Sequence, residues 1–312
     1  MKPLILGTRG SDLALAQSKL VREALEAAHP GLLIEQRIIT TTGDARTAMP
    51  LHEPTAEGAG LFTKQLEEAL LRGEIDLAVH SLKDLPVETP AGLVLAAILP
   101  RAPVDDLLIS RHTGGLAGLT PGATVGTSSP RRALLLQARR PDLTIVPIRG
   151  NVPTRLSKVA GSAGYDATLL AAAGLRRLGH DLSTGELWIE GLCLSLEVLD
   201  WMLPAPGQGA IAVETRAGDR AAELLRPLHD ATTARCVEAE RLVLKYLGGG
   251  CHLALGSLAI DRDGILSLSG VYVADQQANP ISPRTGRAEA ATPAEAARRV
   301  ADQLLANQLL AN

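Results

Sequence analysis

Short apolar runs alternate with segments of helical spacing along the first two thirds of the chain. Residues 4–6 form an apolar run, and residues 75–79 are apolar except for Asp76, a pattern that is typical of buried strands. Between them, Phe62, Leu66 and Leu70 recur at the spacing of one helix face. Strands that alternate with amphipathic helices predict parallel α/β units.

The same scheme is repeated after the proline-containing stretch 100–103. The predicted strands of this second set are residues 107–109, 124–126, 145–148 and 168–170. The Pro/Gly-rich stretch 204–209 predicts a return crossing, which leads into a further strand at 210–213.

The last part of the chain has a different pattern. Residues 233–247 have helical spacing, and the alternating runs 255–260 and 265–273 predict an antiparallel pair with a turn at 261–264. Thr292-Pro293-Ala294-Glu295 is a capping box that opens a final helix. The predicted fold class is α/β, with two lobes and a small C-terminal α+β domain. The predicted division is residues 1–100 with 200–217, 101–199, and 218–312.

Polar turns that contain arginine follow three of the predicted strands. They are residues 8–11 (TRGS), 126–132 (GTSSPRR) and 149–155 (RGNVPTR). Each turn places a Ser or Asn where it can cap a helix, and Pro130 takes the favoured first helical position behind Ser129. Helix starts and guanidinium groups both bind anions. The three turns together therefore predict a site for a small polyanionic molecule rather than three unrelated solvated turns.

The segment 80–86 (HSLKDLP) is predicted to leave the strand 75–79 as a short polar loop. Loops beyond the carboxyl ends of such strands form the ligand sites of open α/β folds. Asp84 and Lys83 are adjacent, so they can bind a cationic centre and an anionic group of one ligand. An ordinary turn with a solvated ion pair is the alternative, which this segment alone leaves open.

Composition narrows the class of protein. A length of 312 residues predicts two or three domains, and a hydrophobic fraction of 46% is ample for packed cores. A net charge of -3 and an aromatic content of 2% argue against a nucleic-acid partner. Three cysteines without a CxxC pair, and scattered histidines, indicate a reduced protein without a metal. The N-terminal residues lack the pattern of a signal peptide and no segment is apolar enough to span a bilayer, so a cytoplasmic location is expected.

Six separate segments resemble the porphobilinogen deaminase (hydroxymethylbilane synthase) family in order and in spacing. They are residues 8–11 (TRGS), 79–86 (VHSLKDLP), 126–132 (GTSSPRR), 149–151 (RGN), 206–210 (PGQGA) and 249–251 (GGC). The resemblance covers most of the chain. It implies two lobes that are built like a periplasmic binding protein, with a cleft between them, and a C-terminal domain that carries the cofactor.

The resemblance also implies an activity. A member of this family is a transferase of tetrapyrrole (porphyrin and haem) biosynthesis that joins four porphobilinogen units head to tail into hydroxymethylbilane and releases ammonia at each step. The chain grows on a dipyrromethane cofactor held by a thioether, and Cys251 matches the attachment cysteine. Three glycines precede Cys251, which suits an accessible thiol, whereas Cys193 and Cys236 are interpreted as core cysteines. The expected state is a monomer with porphobilinogen as its partner.

Asp84 and its neighbour Lys83 are the catalytic candidates that the resemblance implies, with Asp84 in the main role. A carboxylate that faces the pyrrole N-H stabilises the azafulvenium cation left when ammonia departs, and it can help to move protons. The expected ligands of cofactor and substrate are Arg9, Ser11, Ser81, Lys83, Asp105, Thr127, Ser128, Ser129, Arg131, Arg132, Arg149, Gly150, Asn151, Arg155, Arg177 and Gln208. Arg139 and Arg140, at a helix end, are predicted to be solvated.

The chain also departs from the family pattern. A lysine that commonly precedes Gly60-Leu61-Phe62 is absent from a loop that is predicted to act as a lid. His252 and Ala254 replace glutamine and proline after the cysteine, and Val104 replaces an arginine beside Asp105. Two alternatives to the enzyme are a two-lobed small-anion binding module without catalytic activity and an inactive paralogue that folds but does not elongate.

Overall fold

The computed structural model describes residues 2–40, 63–161, 164–249, 253–274 and 280–306. The chain divides into two compact units, Met1–Ala102 with Gly209–Arg235 and Pro103–Gln208 with Cys236–Asn312. Cys251, His252 and the loop around Gly60 lie outside the described residues. The predictions of an attachment cysteine and a lid loop therefore stay predictions.

The first unit contains a mixed five-stranded sheet. Its strands are β1 (Leu4–Thr8), β2 (Ile34–Ile38), β3 (Leu77–Ser81), β4 (Leu93–Ile98) and β11 (Ile211–Arg216), in the order β2-β1-β3-β11-β4. β1 pairs in parallel with β2 and β3, whereas β11 is antiparallel to both β3 and β4. β11 is the predicted strand that follows the return crossing.

Helices cover both faces of this sheet. Ser11 caps α1 (Asp12–Ala28) by accepting a hydrogen bond from the Ala14 amide, as the sequence predicts, and α1 packs Val21 and Leu25 into the core. The helix predicted from Leu66 and Leu70 is α2 (Lys64–Leu71), whereas Phe62 lies outside the described residues. A third helix, α6 (Arg220–Leu225), follows β11.

The second unit contains a mixed six-stranded sheet. Its strands are β5 (Asp106–Ser110), β6 (Thr124–Gly126), β7 (Thr144–Val146), β8 (Ala167–Ala171), β9 (Glu186–Ile189) and β10 (Leu192–Val198), in the order β7-β6-β8-β5-β10-β9. Ser129 caps α3 (Pro130–Arg139) and Asn151 caps α4 (Val152–Ala160), which confirms both predicted helix starts. The short helix α5 (Ala172–Arg177) follows β8.

A small sheet and two helices complete the second unit. The first of these helices is α7 (Ala231–Tyr246), whose first turn precedes the division at residue 236 and so belongs to the first unit. The sheet is the antiparallel series β12 (Ala254–Arg262), β13 (Ile265–Val273) and β14 (Arg284–Ala290). The predicted antiparallel pair is confirmed, and Asp263 and Gly264 make its turn with φ of 52° and 84°. Thr292 accepts a hydrogen bond from the Glu295 amide at the start of α8 (Pro293–Ala306). The predicted α/β class with a small C-terminal α+β part is thus confirmed.

Two sequence predictions need correction. His80 and Ser81 belong to β3, because their backbones continue the ladder with β11, so the polar turn starts only at Leu82. Arg140 is not simply solvated, since its guanidinium donates to the carbonyls of Leu116 and Leu119 and to the Asp142 carboxylate. Arg140 therefore holds a loop in place at the end of α3.

Candidate functional site

A pocket in the first unit brings together predicted site residues from two segments that are far apart in the sequence. Arg9 and Ser11 come from the turn between β1 and α1, while Ser81 and Asp84 come from the end of β3 and the turn after it. All four were predicted as site residues. The pocket therefore places a guanidinium group, two hydroxyl groups and a carboxylate around one space.

Asp84 ends a single 3-10 turn, Leu82–Asp84, that directly follows β3. Leu82 is fully buried and anchors the turn, and its amide donates to the Ala210 carbonyl at 3.1 Å. Asp84 is exposed at the pocket, and Lys83 is half-buried beside it. The turn thus fixes a carboxylate at the rim of the sheet while its neighbour Leu82 holds the backbone in the core.

Three further polar residues, Gln17, Thr63 and His80, line this pocket without having been predicted as site residues. Gln17, on α1, is 3% exposed, and its side chain lies 2.7 Å from the Ser81 hydroxyl. His80 is buried next to Ser81, with its Nε2 towards the carboxylate of Glu214 on β11. In the sequence, Gln17 is a polar residue at a position of the apolar face of α1. That position is the signal that could have identified it as a candidate.

The second unit contains a buried cluster of two arginines and one aspartate. Arg131 Nη1 lies 2.6 Å from Asp106 Oδ2, and Arg132 Nη2 lies 2.6 Å from Asp106 Oδ1. Burial alone would raise the pKa of the Asp106 carboxyl, but the charges of Arg132 and Arg131 outweigh burial and hold that pKa well below its usual range. Gln208 adds a hydrogen bond of 3.0 Å from its Nε2 to Asp106 Oδ1.

The acid in this cluster is Asp106. Its neighbour Asp105, which was predicted as a ligand of the cofactor, stays a prediction. Asp106 is fully buried on β5, while Asp105 is half-buried and contributes its backbone carbonyl to the Ala172 amide. Adjacent acids point to opposite sides of an extended chain, so only one of them can face the arginines. The predicted ligands Arg131, Arg132 and Gln208 are thus brought together around a residue that the sequence reasoning missed.

The turn between β6 and α3 is closed by its own hydroxyl groups. Thr127 Oγ1 accepts from the Ser129 amide at 3.2 Å, and Ser129 Oγ accepts from the Arg132 amide at 3.4 Å. Ser128 Oγ donates to the Ile148 carbonyl at 2.8 Å, which ties this turn to the segment after β7. The three predicted hydroxyl residues therefore shape one helix start.

The second turn, between β7 and α4, groups Gly150, Asn151 and Arg155. Gly150 has a φ of 109°, and a Cβ atom there would meet the Thr154 side chain at 2.6 Å, so only glycine fits. Asn151 Oδ1 accepts from the Thr154 amide at 2.9 Å, and Arg155 Nε donates to the Gly150 carbonyl at 2.8 Å. This turn combines a capped helix start with a half-buried guanidinium group.

Arg149 and Arg177 are the remaining predicted ligands in the second unit. Arg149 is half-buried, and its carbonyl accepts from Lys158 Nζ at 3.0 Å. Arg177 ends α5, and burial lowers the pKa of its guanidinium to about 10. Arg177 therefore remains positively charged at neutral pH.

Within the described residues, no three His, Cys, Asp or Glu side chains are grouped so that they could hold a metal ion. No described helix is both long enough and apolar enough to cross a membrane.

Family models match both parts of the chain. The model described as "Porphobilinogen deaminase, dipyromethane cofactor binding domain" matches residues 4–223, which include every site residue predicted above except Cys251. The chain belongs to the porphobilinogen deaminase family. The model for the porphobilinogen deaminase C-terminal domain matches residues 234–306. The chain therefore carries the dipyrromethane cofactor binding domain of the family, together with its C-terminal domain.

Relatives within the porphobilinogen deaminase family are similar over almost the whole chain. The porphobilinogen deaminase of Syntrophobacter fumaroxidans is 46% identical over 85% of this chain and 82% of its own length. That of Roseiflexus castenholzii is 44% identical over 97% of this chain and 95% of its own length. A solved structure of a probable amino-acid ABC transporter extracellular-binding protein from Bacillus subtilis covers 80% of this chain and 98% of its own, with a TM-score of 0.39 and 12% identity. That last likeness is too distant to bear on the function.

Proposed function

We propose that this protein joins four porphobilinogen molecules head to tail into hydroxymethylbilane, with release of one ammonia molecule per unit, in tetrapyrrole biosynthesis. The observation that carries the proposal is the first-unit pocket, in which Asp84 faces the same space as Arg9, Ser11 and Ser81. Each porphobilinogen has one pyrrole N-H, an aminomethyl group and two carboxylates. The pocket offers a carboxylate that can accept from the pyrrole N-H, and cationic and hydroxyl groups that can donate to the substrate carboxylates.

The residues present suit a dipyrromethane cofactor, which we propose to be attached through a thioether at Cys251. Its pyrrole N-H groups need acceptors, and its carboxylates need donors. Asp84 is an acceptor, whereas Arg149, Arg155 and the helix start at Asn151 are donors of the kind that bind carboxylates. When bound, the cofactor supplies the pyrrole carbon that receives the first substrate unit.

Asp84 is proposed to stabilise the positive charge that develops as ammonia leaves porphobilinogen. The charge spreads to the pyrrole N-H, so a fixed carboxylate that accepts a hydrogen bond from this N-H lowers the barrier. The 3-10 turn with its buried Leu82 holds the carboxylate in place before substrate arrives. No reorganisation is then needed at the moment of reaction.

The substrate and growing chain are proposed to be held by arginines of the two polar turns in the second unit and by Arg9. Because the chain gains two carboxylates with each unit, several separate guanidinium groups are needed. Arg131 and Arg132 are engaged by Asp106, so we expect them to contribute positive potential and to shape the turn at Ser129. We also propose that the protein works as a cytoplasmic monomer without nucleic acid.

Replacement of Arg149 or Arg155 by Gln should reduce loading of the cofactor or the first elongation steps by roughly tenfold or more, because a charge-assisted hydrogen bond is lost in each case. The measurement is the fraction of purified protein that carries each pyrrole adduct, by intact mass. The matched control is Arg262→Gln, since Arg262 is exposed at the end of β12 beside the hairpin turn. An equal effect at Arg262 would mean that the two arginines belong to a general basic surface rather than to a site.

The proposed function is tested directly by incubation of the purified chain with porphobilinogen. Ammonia and hydroxymethylbilane should appear in a ratio of four to one. A small-anion binding module would bind porphobilinogen without releasing ammonia. An inactive paralogue would also release no ammonia, and it would not extend a bound pyrrole chain.

A further inference from the structure

Three ionisable side chains meet beneath the Asp84 pocket. His80 Nε2 lies 3.4 Å from Glu214 Oε2, and the two side chains are 4% and 1% exposed. Among the described residues, neither of these two atoms has a hydrogen-bond partner, and Oε1 of Glu67 on α2 is likewise buried without one. Burial raises the pKa of Glu67, and the negative charge of Glu214 raises it further, while a hydrogen bond with Thr63 lowers it.

The strand register explains why these residues meet. His80 pairs with Ala212 and Glu214 pairs with Ala78 in the antiparallel ladder of β3 and β11, so His80 and Glu214 lie diagonally on one face of the sheet. Leu66, Ala69 and Leu70 of α2 pack with Ala78 on that face. The helix therefore closes over the pair and keeps it out of water.

Charged groups from several elements surround His80. Among the described residues, they are Glu214 from β11 and Glu67 from α2, with Asp84 and Arg9 across the pocket. The Glu214 side chain is fully buried, whereas Glu67 is half-buried. Because an uncompensated buried charge is costly, His80 is the group placed to compensate the Glu214 carboxylate.

Glu214 distinguishes the two ring nitrogens of His80. Nε2 is buried and directed towards Glu214, while His80 as a whole lines the pocket with Asp84. A carboxylate behind an imidazole selects the tautomer with the hydrogen on the near nitrogen and stabilises the imidazolium. Nδ1 is then the nitrogen whose lone pair can take up a proton.

We propose that His80, held by Glu214, is the proton acceptor of the coupling step in this pocket, an inference that rests on the proposed function. The C-N bond of the aminomethyl group breaks, and its electron pair leaves with ammonia. A C-C bond then forms to the acceptor pyrrole carbon, and the C-H bond of that carbon breaks. Its proton passes to His80 Nδ1 and then to ammonia, so that R-CH2-NH3⁺ and H-R′ give R-CH2-R′ and NH4⁺.

The first test follows the ionisation of the ring without requiring turnover. The His80 ring nitrogens are assigned by nuclear magnetic resonance of the full chain from the signals lost in His80→Gln. In Glu214→Gln, which keeps the size of the side chain, His80 should lose its proton at a lower pH, because the partner that stabilises the imidazolium is gone. An unchanged His80 titration in Glu214→Gln would overturn the pairing, whether or not the protein is active.

The second test uses the pH dependence of the single-turnover coupling rate. The wild-type rate should rise with pH as the His80 ring loses its proton. This rising limb of the pH profile should move to lower pH in Glu214→Gln. His80→Gln should lose the limb and about a hundredfold in rate. If His80→Gln does not fold, the displacement of the limb in Glu214→Gln decides the question by itself.

The control is His112→Gln, which removes a surface histidine with a similar partner. His112 Nε2 lies 2.9 Å from Asp166 Oδ1, but these side chains are 45% and 37% exposed. His112→Gln should keep both the rate and the pH limb. If the wild type makes product and His80→Gln keeps the pH-dependent limb, the role of His80 is contradicted but the proposed function is not. If the wild type makes no product, the proposed function itself is contradicted.

Discussion

Replacement of Asp84 by Asn is expected to leave the fold and the cofactor in place while turnover falls by a factor on the order of one hundred or more. Asn keeps the size of the side chain at the end of the 3-10 turn, and the buried anchor Leu82 is unchanged. What is lost is the negative charge opposite the cation that forms when ammonia leaves. Single-turnover kinetics on cofactor-loaded protein measure this loss.

The control for Asp84 is Glu88→Gln, which removes a nearby carboxylate after the turn that does not line the pocket. Glu88→Gln should turn over at a rate close to that of the wild type. Wild-type protein treated in the same way sets the reference rate. Near-normal coupling in a folded, loaded Asp84→Asn protein would remove Asp84 from the mechanism.

Asp106→Asn is expected to destabilise the second unit by about 3–5 kcal/mol, because it leaves the guanidinium groups of Arg131 and Arg132 buried without a counter-charge. The urea midpoint of unfolding measures the effect. Since the pKa of Asp106 is lowered in the folded protein, its contribution is fully present above the ordinary value of 3.8 and is lost only as the pH falls through the lowered folded value. The difference between wild type and variant should therefore persist down to about pH 4 and shrink in stronger acid.

A double variant separates charge pairing from ordinary packing. Asp106→Asn combined with Arg132→Gln should cost less than the sum of the two single changes, because the second change removes one of the groups left unpaired by the first. Glu295→Gln, which breaks the exposed pair with Arg299, should change the midpoint little. Equal midpoints for Asp106→Asn and the wild type would show that the buried cluster does not hold the unit together.

Local chemistry made several elements predictable. The caps at Ser11, Ser129 and Asn151 depend only on a side-chain oxygen close to the amides it binds, so a few residues of sequence contain the whole signal. The pair β12 and β13 was found because apolar and polar or small residues alternate within the runs 255–260 and 265–273. In contrast, β14 has a polar sequence and owes its pairing to β13.

Contacts between distant parts of the chain were not predictable in this way. Asp106 rather than Asp105 meets the arginines because of the direction in which β5 turns its side chains, which depends on pairing with β8 and β10. His80 meets Glu214 only because β11, which follows all six strands of the second sheet along the chain, pairs with β3. The segment 80–86 therefore revealed Asp84 as a candidate, but neither the partner of His80 nor the burial around it.

The central claim, a dipyrromethane bound through Cys251, is tested most directly by the intact mass of the active, denatured protein. A thioether survives denaturation, so the mass should exceed the sequence mass by one dipyrromethane, and the excess should map to the peptide that contains Cys251. Porphobilinogen should add pyrrole units in discrete steps. Cys251→Ser should abolish the excess, whereas Cys193→Ser and Cys236→Ser keep it. An active preparation at the bare sequence mass, or an adduct on Cys193 or Cys236, would contradict the account.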